Sequence, residues 1–190
     1  MVRRILIIAL FLIGSPVLAH DRLPSVFDGK RQGFVIGLGA GYPPHVRHIR
    51  EEEKVIGGLW FNLLLGHGWD ELNLMVFHLD GGTYGMENPH TADTACFECG
   101  TRLRLENQGF MGLTWYHYFK RGRLSPLMII GTGLHGCDDS QDGFGILAGA
   151  GLEVVRHFQV TGNLVLAKSS PRSSGLSIAY LSVLLTALAY

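Results

Sequence analysis

The sequence predicts an all-β protein: an eight-stranded antiparallel up-and-down β-barrel that crosses a membrane with its strands. Three observations predict it. Glycine accounts for 26 of the 190 residues against only 7 prolines, a balance that suits densely turned, tightly curved β-structure. Charged residues make up 17% of the chain, below the roughly 25% of an ordinary soluble domain, and mean hydropathy is +0.21. No stretch after the leader reaches the roughly 18 consecutive apolar residues that mark a membrane helix. For an exported chain this apolar, that leaves the closed barrel, where every backbone group bonds to a neighbouring strand.

The leader is residues 1–19, MVRRILIIALFLIGSPVLA. Arg3 and Arg4 form a positive start, Ile5–Ile13 is an apolar run too short to span a bilayer, and Val17-Leu18-Ala19 fits a small-residue cleavage site. We read it as a cleaved secretory signal, followed by a short segment 20–31 and the barrel, 32–190. The 16 Lys+Arg balance 16 Asp+Glu. That neutrality, turned mildly acidic once Arg3 and Arg4 leave, excludes the basic surplus of a nucleic-acid binder.

Eight segments alternate with period 2 and end on turn signals. The first, 32–42, sets Phe34, Ile36, Leu38, Ala40 and Tyr42 on one face and Gly33, Val35, Gly37, Gly39 and Gly41 on the other. The second (54–65) and third (71–80) follow, then 107–119 and 126–135. The sixth, 143–153, sets Phe144, Ile146, Ala148, Ala150 and Leu152 against Gly145, Leu147, Gly149 and Gly151. The seventh spans 157–167 and the eighth runs from about 176 to Tyr190. Connections one, three, five and seven read as longer than the even-numbered ones, as in a barrel with short periplasmic turns and longer outer loops. The segment 81–106 reads as the longest loop. His67, Trp69, Trp115, Tyr116, Tyr118 and Phe119 fall near the periplasmic strand ends, where an aromatic girdle is expected.

The signal peptide, the opening QGFVIGLGAGY strand, the GFGILAGAGLEVVRHFQV hairpin and the closing strand on Tyr190 together resemble the small eight-stranded outer-membrane barrels of Gram-negative bacteria, of the outer-membrane-protein-A type. The resemblance covers about 30–190 and is specific for architecture only. It implies an outer-membrane location, porin-like strand architecture, contact with outer-membrane lipid and handling by the barrel-assembly machinery. Tyr190, sharing a face with Leu184, Thr186 and Leu188, resembles the terminal insertion signal of such barrels.

An eight-stranded barrel is only wide enough for side chains to fill it, so Glu153, Glu71 and Lys54 are candidates for inward-facing ion pairs. Cys96, Cys99 and Cys137 fall in outer connections, and export permits a disulfide among them. Cys137 would bond Cys96 or Cys99 and tie two loops, or Cys96–Cys99 would close a small ring. A zinc site from the three thiols with His90 or His135 is the alternative, disfavoured by an oxidising compartment, and no metal or cofactor is expected. Arg47 and Arg50, in the first loop, are candidates for contact with lipopolysaccharide phosphates, and an extracellular partner would also meet the loops.

An enzyme reading rests on resemblance to the eight-stranded lipid A acyl hydrolases, whose pattern is a histidine just before a serine on a late strand, with an orienting carboxylate. That pattern would imply Ser169 or Ser170 with Glu153 one strand earlier. Ala167-Lys168 stand in the place of that histidine, and His157 is at the far end of the same strand. A serine without its base is a weak nucleophile. The expected function is therefore structural or surface-interacting, not enzymatic. Besides the acyl hydrolase, a soluble secreted lipocalin-like barrel is a further alternative.

Overall fold

The computed structural model describes residues 30–46, 54–87, 103–121, 124–137, 140–168 and 177–190. The leader 1–19 and the loop candidates Arg47, Arg50, Cys96, Cys99, Ser169 and Ser170 lie outside the described residues.

Eight strands form one closed barrel in chain order: β1 (Gly33–Val46), β2 (Lys54–Gly68), β3 (Asn73–Glu87), β4 (Leu103–Tyr118), β5 (Ser125–Cys137), β6 (Ser140–Val155), β7 (Phe158–Ala167) and β8 (Ser177–Ala189). Every neighbouring pair is antiparallel, and β1 closes on β8 from Ile36↔Ala189 to Val46↔Tyr180. Closure leaves no unpaired sheet edge.

Each predicted segment became a strand, and the two-face pattern of the first and sixth held. Gly37, Gly39, Gly145 and Gly149 line the inside, while Leu38, Ala40, Phe144 and Ala148 point out. The inward glycines serve close approach. A Cβ on Gly39 would run into Asn62 Oδ1 of β2 and Thr186 Oγ1 of β8, the two strands flanking β1. The first, third, fourth and sixth strands extend further towards the loop end than predicted. β3 and β4 pair out to Glu87↔Leu103, so 81–87 and 103–106 of the expected long loop are strand. In 81–87 neither face carries a hydrophobic run, so the alternation fades while the backbone ladder continues. For the same reason the fifth connection is short, with Cys137 paired to Ser140, against the expected long one.

At the other end the connections are Trp69–Leu72, residues 119–124 and the two-residue turn Arg156–His157. His157 takes a left-handed φ of 75° there. The conformation is retained because His157 pins β8: its carbonyl accepts from Leu188 N–H (2.7 Å) and its Nδ1 lies 3.0 Å from Leu188 O.

The core is the barrel lumen. Its largest buried side chains are aromatic: Trp60, Tyr84, Tyr116, Tyr118, Tyr180 and Tyr190. This corrects one expectation. Tyr116 and Tyr118 do not join the outer girdle; they share inward parity with Phe110, Gly112 and Thr114 on β4. Trp69 and Phe119, at 59% and 56% exposure, do face out as expected.

Candidate functional site

The barrel wall turns large apolar side chains outward and a mixture of apolar and polar side chains inward. Outward positions carry Leu38 (63% exposed), Phe61, Leu113, Ile130, Leu134, Phe144, Val183 and Leu185. Inward and buried are Asn62, His78, Asp80, Gln108, Glu153, Gln159, Asn163 and Thr186. Buried polar groups need partners; many of those in the lumen find them in three clusters, while others, such as Thr114 Oγ1, have no hydrogen-bond partner among the described residues.

At the turn end, Arg31 lies across the mouth, buried. Its Nη1 donates to the Glu71 carbonyl at 2.6 Å, and its Nη2 pairs with Glu153 Oε2. Its guanidinium sits 4.1 Å from the centre of the Tyr118 ring, a cation–π placement. Tyr190 donates to Glu153 Oε1 at 2.5 Å and accepts the His157 N–H at 3.2 Å, its ring stacked on that imidazole at 4.6 Å. Gly68 makes room, since a Cβ there would strike the Arg31 carbonyl. Burial alone would lower the Arg31 pKa, but the hydrogen bond and charge of Glu153 raise it. Burial, then the bond to Glu153, push the Tyr190 phenol up to about 12. In the neighbouring turn, the Asn73 side chain and the Leu72 amide hold the Asp70 carboxyl below its ordinary range.

In mid-lumen, Asn62 and Thr186 exchange hydrogen bonds at 3.2 and 3.3 Å across Gly39. Asn163 Nδ2 donates to Asp80 Oδ2 at 3.4 Å, with His78 Nε2 4.0 Å from the same oxygen. The Tyr116 hydroxyl meets His78 Nδ1 at 3.4 Å, and Trp60 packs on Tyr180 with centroids 4.7 Å apart. At the loop end, Tyr84 donates to Glu106 Oε2 at 3.1 Å and Gln108 Nε2 lies 2.8 Å from His135 Nε2. Cys137 closes β5 opposite Gln108, half-buried.

Of the predicted inward charges, Glu153 is buried and paired. Glu71 sits in the β2–β3 turn, where its backbone carbonyl serves Arg31. Lys54 opens β2, with its side chain outside the described residues. Tyr190 occupies the inner face with Leu184, Thr186 and Leu188. Among the described residues no group of three or more His, Cys, Asp or Glu is placed to hold a metal. Sequence reasoning missed Arg31, which precedes the first periodic residue, and the buried His78–Asp80 pair. A signal for the pair was present: both share parity with Leu74 and Val76, on the face opposite Phe77 and Leu79.

The fold defines a small closed eight-stranded antiparallel β-barrel with large apolar side chains on its outer face. No family model, curated protein or solved structure matches the chain.

Proposed function

We propose that the chain is an outer-membrane β-barrel with a structural or surface-interaction role. Any specific contacts would lie in its outer loops, among them Arg47 and Arg50 towards lipopolysaccharide. One observation carries this reading: a belt of exposed leucine, phenylalanine and valine surrounds a lumen where buried polar groups sit among aromatic and aliphatic side chains. In a soluble barrel the arrangement is reversed, because exposed apolar area on this scale drives association in water. Strand lengths of 10 residues in β7 to 16 in β4 and β6 suffice for the 9–11 residues a tilted strand needs to cross a bilayer.

The alternatives draw less support. A lipocalin-type calyx needs an open apolar interior, whereas here Trp60, Tyr116, Tyr118 and Tyr180 are buried inside together with polar groups such as Asn62, Asp80 and Asn163. For acyl hydrolysis a histidine must reach the serine, and His157 sits in the β6–β7 turn, bound to Leu188 and Tyr190, at the opposite end of β7 from Ala167.

Membrane fractionation with gel mobility of the unboiled protein tests the proposal. We expect the protein in the outer-membrane fraction and a band that shifts on boiling. A heat-independent band in the soluble fraction overturns it.

A further inference from the structure

We propose that the turn end of the barrel is a docking surface for anionic phospholipid headgroups, centred on Lys120 and Arg121 and continued round the rim by Arg156. The inference rests on the membrane reading above and names a partner for the end opposite the loops.

Two turns on different sides of the barrel repeat one arrangement. In the β4–β5 connection, Phe119 points out with 56% exposure and is followed directly by the exposed Lys120 and Arg121. In the β6–β7 turn, exposed Arg156 stands two residues before the outward Phe158. Trp69, on a third turn, and Leu124 extend the apolar collar. An aromatic ring at the edge of an apolar belt sits at headgroup level. A cation one or two residues beyond it therefore falls where lipid phosphates lie, and each such cation attracts an anionic surface.

Two of the acids at this end are engaged within the protein. Glu153 is buried beneath Arg31, and Asp70 Oδ1 accepts from the Leu72 and Asn73 amides at 2.7 and 2.8 Å. Asp70 does feel the charge of Arg121, though more weakly than its hydrogen bonds. Glu71 is the remaining carboxylate among the described turn residues. Among the described turn residues Lys120, Arg121 and Arg156 thus outnumber Asp70 and Glu71, leaving a surplus of cations above an apolar collar. That complementarity fits a phosphate-bearing lipid surface with net negative charge better than a zwitterionic one.

The tryptophans supply the test. Trp69 lies on the collar and Trp115 on the outer face of β4, while Trp60 is buried in the lumen. The full mature chain is placed in vesicles of phosphatidylcholine mixed with phosphatidylglycerol, with either lipid brominated, and tryptophan quenching reads the relative affinity. We expect phosphatidylglycerol to be preferred, by about fivefold for each cation contact retained. The preference should fall towards unity in 1 M salt, where charge is screened within about 3 Å. It should also fall in the K120Q/R121Q variant, whose folding is verified by its unboiled gel mobility. Equal quenching by both lipids at low salt, or a preference undiminished in K120Q/R121Q, overturns the inference. Absence of quenching by either lipid overturns the membrane reading itself.

Discussion

Tyr190, just past the last strand, donates to one oxygen of Glu153, and Arg31, just before the first strand, takes the other. The barrel closes by pairing β1 with β8. A single carboxylate on β6, across the lumen, therefore holds the two chain segments that flank the closing seam. The inner bonds and the backbone ladder of the seam support one another.

Breaking that pair should be far worse than replacing it. In Glu153→Gln the Arg31 guanidinium stays buried without its counter-charge, which costs about 3–5 kcal/mol. The urea midpoint of the folded protein should drop accordingly. Changing Arg31 and Glu153 together to methionine removes both buried charges and should recover a good part of the loss. Equal loss in the single and double variants would mean the pairing itself is not what holds the mouth.

Tyr190 predicts an alkaline weakness. Its folded pKa, about 12, lies above the ordinary phenol value of 10, so folding favours the protonated form. Its contribution is fully present below about pH 10 and is lost as pH rises through about 12. Unfolding midpoints followed from pH 9 to 12 should fall more steeply for the native chain than for Tyr190→Phe. That variant starts lower because it loses the bonds to Glu153 and His157. Parallel curves would refute the assignment.

Gly39 separates Asn62 from Thr186, and a methyl group there meets polar atoms of both. Gly39→Ala should break their reciprocal bonds and leave buried polar groups unsatisfied, a loss of about 1–3 kcal/mol. Gly33, where an added Cβ would meet nothing within 4 Å, tests the other cause: its φ of 89° alone makes alanine unfavourable. Gly39→Ala should therefore alter hydrogen exchange at Asn62 and Thr186, whereas Gly33→Ala should leave those amides as they were.

The strand count and the glycine-lined face were legible because period-2 alternation is strongest where one side of the wall is apolar and the other is packed. The outer end of β3 was not, since Gly81–Glu87 pairs through the backbone without a hydrophobic face to mark it; that of β4 carried a short signal, Leu103 and Leu105 alternating with Arg104 and Glu106. Tyr116 and Tyr118 were misplaced by composition: an aromatic run near a strand end suggested a girdle. Parity with Thr114, opposite Leu113 and Trp115, would have sent both inward. Arg31 had no local signal. Its role arises only when the turns of β2–β3 and β4–β5 and the inner face of β6 converge on one mouth.

Leu113 gives the sharpest test of what surrounds the barrel. It faces out at 51% exposure in the middle of β4, between the inward Gly112 and Thr114. If water surrounds the wall, Leu113→Arg is a surface change worth within about 0.5 kcal/mol. It should also make the protein more soluble. If lipid surrounds it, a cation near the bilayer midplane costs about 2–4 kcal/mol. We expect the second result, read as a lowered unfolding midpoint in vesicles and a smaller heat-modifiable fraction. The control is Leu105→Arg, at an exposed position nearer the loop end of the same strand. Its penalty should be about 0–1 kcal/mol, because the cost declines towards the interface. Equal penalties at both positions, or none at either, would remove the bilayer from the account.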